Sequence, residues 1–245
     1  MPKNENSAST LSGTEHPFVR LDDPEQTSLG ATLIEGTHTV RNVRRDFVEW
    51  HRGRTPYVLW AIDLDRPAIC GRVDEAATHL EGLLLEGYAR QPHVTLELCG
   101  FAADPPAQPD EFGKDWIAAQ CAALQSAGLA PFEIEIGALS SFSSAPFLQL
   151  ADAGGHIAAV RAALAIEGTH RLLGRYVPHV TVGLYRDAWP ADAVRARLAG
   201  FSAGPALRCT VERISLMGYD PAEIGGSLRR LGEFDLSRQV MGWQT

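Results

Sequence analysis

The residues of this chain best suited to chemistry lie in two copies of the tetrapeptide Pro-His-Val-Thr. One copy contains His93 and Thr95, and the other contains His179 and Thr181. Each copy opens a run of residues typical of a β-strand, in which alternate side chains point to the same face. Each histidine therefore projects together with its threonine. One imidazole can give a proton while the other takes one, and the hydroxyls can hold the non-bridging oxygens of a phosphate.

The segments that precede the two motifs repeat the same order of elements. Before the first motif these are an apolar run at 57–62, a helical stretch at about 72–85, Tyr88 and Arg90. Before the second they are an apolar run at 147–150, a helical stretch at about 156–166, Arg175 and Tyr176. A duplicated unit predicts two pseudo-two-fold lobes that face each other across a groove. That geometry would bring the two distant histidines together.

These motifs and their surroundings resemble the 2H phosphoesterases, and within them the 2′-5′ RNA ligase-like, RNA 2′,3′-cyclic phosphodiesterase group. That family has two His-x-Thr/Ser-x motifs on strands of two related lobes. The resemblance runs from about Tyr57 to Leu236. It includes an opening strand at Tyr57–Asp63, the segments 98–101 and 137–142, and a final strand pair near Leu207–Met217 and Arg230–Leu236. It implies an α+β fold of duplicated β-α-β units, with antiparallel sheets lining a central groove and helices outside. A helix is predicted over Trp116–Ala127, ending at Gly128.

The resemblance also implies an activity, which is metal-independent opening of nucleoside or RNA-end 2′,3′-cyclic phosphates to 2′-phosphates. His93 and His179 would be the acid–base pair, and Thr95 and Thr181 would bind the phosphate. Two near-symmetric motifs leave open which histidine is the base. Imidazoles have ordinary pKa values near about 6.5, and a bound phosphate dianion or a nearby carboxylate would raise them. We therefore expect a bell-shaped dependence of kcat/KM on pH with an optimum near neutrality.

Other functions remain open at this point. One is a diesterase or ligase that acts on 2′-5′ linkages, since the same site run in reverse could join them, or a diesterase for other cyclic nucleotides. Another is a non-catalytic module that binds a nucleotide or an RNA end. The presence of both histidines and both threonines speaks against the module.

Six further residues are predicted as substrate contacts around the groove: Tyr88, Arg90, Phe142, Arg175, Tyr176 and Tyr185. Arginines next to the motifs could neutralise a phosphate, although a solvated loop arginine is an equal alternative. Phe142 and Tyr185 could stack on a base. Phe142 could instead fill the core.

Composition limits the partners. The chain has 245 residues, a net charge of −8 and a pI of about 5.5. Proteins that grip long nucleic acid usually carry a basic face, so the balance disfavours duplex DNA and long RNA. It permits a small nucleotide or a short RNA end with a cyclic phosphate.

No stretch of the sequence is long and apolar enough to span a membrane, and we expect a cytoplasmic monomer that binds no membrane. No cofactor or metal is expected, because the four cysteines are scattered and no carboxylate has ligand-like spacing on the motif strands. Glu97 is expected on the same face as Thr95, but one carboxylate beside one histidine is thin support for a metal site.

The predicted domain organisation has three parts. Residues 1–15 are expected to be a disordered tail, 16–54 an N-terminal extension with an amphipathic helix, and 55–245 the two-lobed domain. The helix is predicted over 38–54 from an apolar stripe at three- and four-residue steps: Val40, Val43, Phe47 and Trp50. Its basic face is expected to be solvated, or alternatively to act as a lid beside the groove.

Overall fold

The structure of the protein, a computed structural model, describes residues 33–166 and 176–244. Its strands are β1 Tyr57–Asp63, β2 His93–Ala102, β3 Glu111–Phe112, β4 Phe132–Ser141, β5 Pro146–Ala151, β6 His179–Thr181, β7 Leu207–Val211, β8 Arg213–Tyr219, β9 Arg229–Asp235 and β10 Val240–Trp243. Its helices are α1 Val48–His51, α2 Pro67–His79, α3 Trp116–Ala127, α4 His156–Leu164 and α5 Ala191–Ala199. The predicted tail 1–15 and Arg175 lie outside the described residues.

The strands form two sheets, one in each lobe. The large sheet has the order β10-β9-β8-β1-β2-β3, and the small sheet has the order β6-β5-β4-β7. Neighbouring strands are antiparallel except for β2 and β3. In both lobes the motif strand pairs with the strand that precedes it across a helix, β2 with β1 and β6 with β5. The predicted α+β fold of duplicated units is therefore confirmed.

Two of the helices connect the two halves of the chain. Helix α2, which follows the first strand of the large sheet, donates from Arg66 and His79 to the second half of the chain, near Thr210 and Arg197. Helix α4, which follows β5 of the small sheet, packs on β2 of the large sheet. Each half of the chain thus supplies a helix that contacts the other half.

The two faces of the large sheet have different roles. We call the face that carries Leu59, Ala61 and Asp63 the front face, and the opposite one the back face. The back face joins the main core together with helices α2, α3 and α4 and the apolar side of the small sheet. Val94 and Val180, the valines inside the two motifs, are 1% and 0% exposed in that core. Their burial turns the histidines and threonines away from the core, as the alternation predicts.

The apolar run predicted as one strand over 207–217 is two strands that belong to different sheets. β7 ends at Val211 in the small sheet, and β8 begins at Arg213 in the large sheet. The prediction was wrong because both strands are apolar, so periodicity alone gives no sign that the chain changes sheets between them. The chain therefore passes from the small lobe to the large lobe through one residue, Glu212.

The prediction of a helix over 38–54 was also wrong. Only α1, four residues long, is helical, and residues 39–47 before it have no regular secondary structure. Trp50 is buried against Tyr57 and Phe101, whereas Val40 and Val43 are 54% and 48% exposed. The three- and four-residue steps were coincidental, because backbone hydrogen bonds to other segments decide the conformation here.

Residues 33–54 instead form a strap across both lobes. Leu33 and Val40 donate backbone hydrogen bonds to the loop at 141–143 in the small lobe. Further along, the side chain of Asn42 donates to Ser144 O and Tyr185 O, and that of Arg44 donates to Glu86 O. The strap ends with Trp50 on the front face of the large sheet. Within the described residues, no helix is long and apolar enough to cross a bilayer.

Candidate active site

The two motifs meet where the lobes meet. β2 and β6 lie next to each other across the groove, although they belong to different sheets. The two histidines lie close enough that a charge on His179 lowers the pKa of His93. Both histidines stand at the first residue of their strand, and both face the groove. The fold therefore brings together the acid–base pair that the sequence predicts.

The two imidazoles are held in the same way. The Nδ1 atom of His93 lies 2.8 Å from the carbonyl oxygen of Gln91, and that of His179 lies 2.7 Å from the carbonyl oxygen of Val177. A carbonyl only accepts, so Nδ1 carries the proton in both rings. The other nitrogen, Nε2, is then free to take or give a proton in the groove.

Burial lowers the pKa values of both histidines. The pKa of His93 falls to about 4, through burial first and then through the positive charge of Arg90. Burial also lowers the pKa of His179, against the effect of its hydrogen bond to Val177. Both rings are therefore neutral at pH 7 in the free protein.

The threonines lie beside their histidines on the same strand faces. Thr95 is paired with Ala61 and Thr181 with Phe147 across the sheets, and both threonines are half-buried. The hydroxyl of Tyr176, from the second lobe, donates to Thr95 O over 2.8 Å. Each threonine therefore shares a strand face with its histidine, as a phosphate site would need.

Tyr88 and Arg90 line the approach to the first motif. Burial raises the pKa of Tyr88, and the neighbouring Thr181 side chain opposes that shift, which places the phenol at the second motif. The Nε atom of Arg90 donates to Gly226 O over 3.2 Å, and its guanidinium lies 4.3 Å from the ring centroid of Tyr219. Arg90 is thereby fixed near His93 rather than solvated on a loop.

The two predicted aromatic stacking residues have different positions. Phe142 is 6% exposed, and its ring centroid lies 4.8 Å from that of His179 in an edge-on contact. It therefore borders the site and supports the second histidine. Tyr185 is fully buried, and its hydroxyl bonds Ser141 Oγ at 2.7 Å. It cannot stack on a base, and we no longer include it among the contacts.

A β-bulge at Leu96 reverses the predicted direction of Glu97. Thr95 is opposite Ala61 on β1, but Glu97 is opposite Trp60, so one extra residue is inserted between them. Trp60 belongs to the back face, and Glu97 is turned there as well. Its carboxylate lies 3.9 Å from the buried guanidinium of Arg161 on α4. The expected placement of Glu97 beside Thr95 was therefore wrong.

Arg161 is a buried residue that sequence reasoning missed. Its guanidinium donates to Leu96 O, at the bulge, and stacks 3.7 Å from the ring centroid of Tyr176. Tyr176 in turn bonds Thr95 O, so one buried group links the second lobe to the first motif strand. A lone arginine in a helical stretch carries no sequence signal for this role.

Asp63 is a second residue that sequence reasoning missed, because nothing in the sequence shows which residue pairs with His93 across the sheet. It lies directly opposite His93 across β1 and β2, and its carboxylate accepts from Arg230. The corresponding neighbour of His179 is Gln149, a neutral amide. The two histidines therefore have different cross-strand neighbours despite their identical motifs. Among the described residues, no three His, Cys, Asp or Glu side chains cluster as metal ligands would.

Comparison with known proteins gives a family and several structural matches. The model of the 2′-5′ RNA ligase superfamily matches residues 65–223. No curated protein matches in sequence. Among solved structures, the protein TT0787 of Thermus thermophilus is 16% identical, with 74% of this chain and 97% of that chain covered and a TM-score of 0.49.

Structures of Escherichia coli LigT match this chain about as well as TT0787 does. The LigT structure complexed with 3′-AMP is 16% identical, with 76% of this chain and 99% of LigT covered and a TM-score of 0.49. The structure complexed with phosphate is 14% identical, with 75% and 98% covered and a TM-score of 0.47. The strap at 33–54 lies outside the residues that the family model matches.

Proposed function

The chain belongs to the 2′-5′ RNA ligase superfamily of 2H phosphoesterases, and from this membership we propose that it is a metal-independent phosphodiesterase. The proposed reaction opens nucleoside or RNA-end 2′,3′-cyclic phosphates to 2′-phosphates. The proposed site consists of His93, His179, Thr95 and Thr181. The membership supports an enzyme of the phosphoesterase type, and the geometry of the site supports the finer assignment.

The observation that carries the proposal is the matched anchoring of the two imidazoles. Each Nδ1 donates to the carbonyl two residues upstream, so each Nε2 is left for the substrate. Within residues 33–166 and 176–244, neither imidazole uses its second nitrogen in a hydrogen bond. Two such groups on strands from facing lobes are arranged for proton transfer on two sides of one phosphate.

The mechanism follows from this arrangement. The substrate phosphate lies between His93 and His179, with its equatorial oxygens near the hydroxyls of Thr95 and Thr181. One Nε2 removes a proton from water, whose oxygen attacks phosphorus. The other Nε2, protonated, gives its proton to the ribose 3′ oxygen as the P–O3′ bond breaks. The threonine hydroxyls donate to the equatorial oxygens, where negative charge develops in the transition state.

The test of the proposal is product identification from a panel of substrates. The panel contains the four nucleoside 2′,3′-cyclic phosphates, an RNA with a cyclic-phosphate end, 2′-5′ oligoadenylate and a cyclic dinucleotide. We expect 2′-phosphates from the first two classes, with activity unchanged after exhaustive EDTA treatment. Products from the 2′-5′ linkages alone would favour the alternative diesterase. Binding without turnover would favour the binding module, and loss on chelation restored by a divalent metal would contradict the metal-free mechanism.

Replacing the threonines by valine should lower activity less than loss of a histidine does. Valine keeps the β-branched shape that the strand favours and removes only the hydroxyl. We expect Thr95→Val and Thr181→Val each to reduce kcat by about tenfold to a hundredfold, the loss of a single hydrogen bond to a charged group. The measurement is kcat at saturating substrate. Wild-type turnover in both variants would make the threonines structural.

The pH dependence should differ between kcat/KM and kcat. The working form has one protonated and one neutral imidazole, and burial lowers both pKa values in the free protein. The histidine that acts as the acid has a pKa below the ordinary value, so it loses its proton at lower pH than a free imidazole does. The fall of kcat/KM on the alkaline side should therefore lie below about pH 6.5. A bound phosphate stabilises the protonated ring. The fall of kcat on the alkaline side should therefore lie at higher pH than that of kcat/KM. Profiles from pH 4 to 9 test this, and a kcat/KM limb above pH 7 would contradict it.

A further inference from the structure

The front face of the large sheet continues from His93 into a small polar cleft. His93 is opposite Asp63, Ala61 is opposite Ser215, and Ser215 is opposite Glu233 in the strand order β2-β1-β8-β9. These side chains therefore share the face that carries the first motif. The cleft has a volume of about 170 Å³, and Asp63, Ser215 and Glu233 line it together with Arg66, Arg213 and Arg230.

Two hydrogen-bond donors in this cleft have no partner among the described residues. Ser215 is 1% exposed, and its hydroxyl makes no hydrogen bond. The Nε–H of Arg230 is buried and equally unpaired, although the other nitrogens of that guanidinium reach Asp63 and Glu233. Buried donors without acceptors are costly, and such groups usually mark a place where another molecule binds. The Nε–H of Arg230 can only donate, so it calls for an oxygen acceptor, and the hydroxyl of Ser215 can donate to the same atom.

The charges of the cleft exclude a second phosphate as that acceptor. Four carboxylates and three guanidinium groups line it, so the lining is net negative. Glu233 adds an acceptor on the strand next to Ser215. The cleft therefore offers unpaired donors beside an acceptor, and it suits an uncharged group that carries a carbonyl beside an N–H. Its volume is below the roughly 300–1,000 Å³ of pockets for whole ligands, so it fits only part of a substrate.

We propose that this cleft binds the nucleobase of the substrate and selects the keto bases, guanine and uracil. Both present a carbonyl oxygen next to a ring N–H on the Watson–Crick edge, whereas adenine and cytosine present an amino group next to an unprotonated ring nitrogen. The carbonyl accepts from Ser215 and Arg230, and the N–H donates to Glu233. The inference rests on the proposed function, because it assumes that a nucleotide phosphate lies at His93.

The distances on the sheet agree with this placement. Neighbouring strands are roughly 4.8 Å apart, so β8 lies about 10 Å from the strand of His93. A nucleobase is separated from its 3′ phosphate by one ribose, which spans this gap. Asp63, between the two, faces the position of the ribose. The base would thus lie away from the strap, which covers the other end of the front face at Tyr57 and Phe101.

Equilibrium binding tests the subsite without relying on turnover. Calorimetric titration of the wild-type protein with the 3′-monophosphates of guanosine, uridine, adenosine and cytidine gives four Kd values. We expect the guanosine and uridine compounds to bind at least about tenfold more tightly, the usual discrimination from one well-placed base contact. Equal affinity for all four would overturn the subsite while leaving the proposed function intact. No binding of any of them would count against both.

Two variants separate the subsite from general effects on the fold. Ser215→Ala removes the unpaired hydroxyl, and Glu233→Gln replaces the acceptor by a group that also donates. Each should reduce the preference for keto bases severalfold, with little change for adenosine 3′-monophosphate. Ser126→Ala, an exposed change on α3, is the matched control and should preserve the preference. An unchanged preference in both Ser215→Ala and Glu233→Gln would overturn the proposal.

Discussion

His93→Ala and His179→Ala should each lower kcat by about 10²–10⁴-fold, the usual contribution of one general acid or base. Each Nδ1 is held by a backbone carbonyl, which leaves Nε2 of each ring available for the proton transfer that we propose. The measurement is kcat with a nucleoside 2′,3′-cyclic phosphate. Near-normal turnover in either variant would remove that histidine from the mechanism.

A histidine variant could lose activity because proton transfer is lost or because the site is packed less well, and the two effects have to be separated. His93 is 7% exposed, and the ring of His179 contacts those of Phe142 and Phe147. We therefore pair each alanine variant with a glutamine variant, which fills more of the space but does not titrate. Both should be equally inactive, with native circular dichroism. His38→Ala, an exposed histidine on the strap, is the control and should retain full activity.

Arg161→Met should destabilise the protein by about 3–5 kcal/mol, the usual effect of breaking a buried ion pair from one side. Methionine fills much of the space but leaves Glu97, which is 3% exposed, without the guanidinium. It also removes the donor to Leu96 O at the bulge and the partner of the Tyr176 ring. Urea unfolding followed by circular dichroism measures the change.

Two further variants identify the origin of that loss. Adding Glu97→Gln to Arg161→Met removes the buried carboxylate that has lost this guanidinium, so the double variant should recover part of the stability. Arg45→Met breaks an exposed pair with Glu49 and should leave unfolding unchanged, since exposed pairs contribute little. A single Arg161→Met variant as stable as wild type would show that the buried network is dispensable.

Elements with strong local signals were predicted well from the sequence. The strand at Tyr57–Asp63 has the predicted bounds, and the helix at Trp116–Ala127 ends at Gly128, whose φ is 58°. The helix is rich in alanine, the strongest helix former, and stops at a residue suited to a left-handed conformation, so the chain itself carries the information. The two valines of the motifs were placed in the core by strand alternation alone.

Elements that depend on distant partners were not predictable in this way. Residues 38–47 are not helical because the backbone N–H groups of Thr39, Val40 and Asn42 donate to the small lobe more than a hundred residues away. Glu97 faces the helices because a bulge sets the register of β2 against β1. The apolar runs of β7 and β8 look like one strand because both are buried, although they enter different sheets.

For the site itself, the sequence determined the chemical groups and their duplication. Two His-x-Thr pairs in repeated surroundings predict a symmetric acid–base site, since side-chain direction on a strand follows from spacing. Only the tertiary structure decided what makes the two halves unequal. Asp63 faces His93 where Gln149 faces His179, and Arg90 stands near His93. These differences arise from strand register and from contacts between lobes, which depend on the whole fold and leave no periodic trace in the sequence.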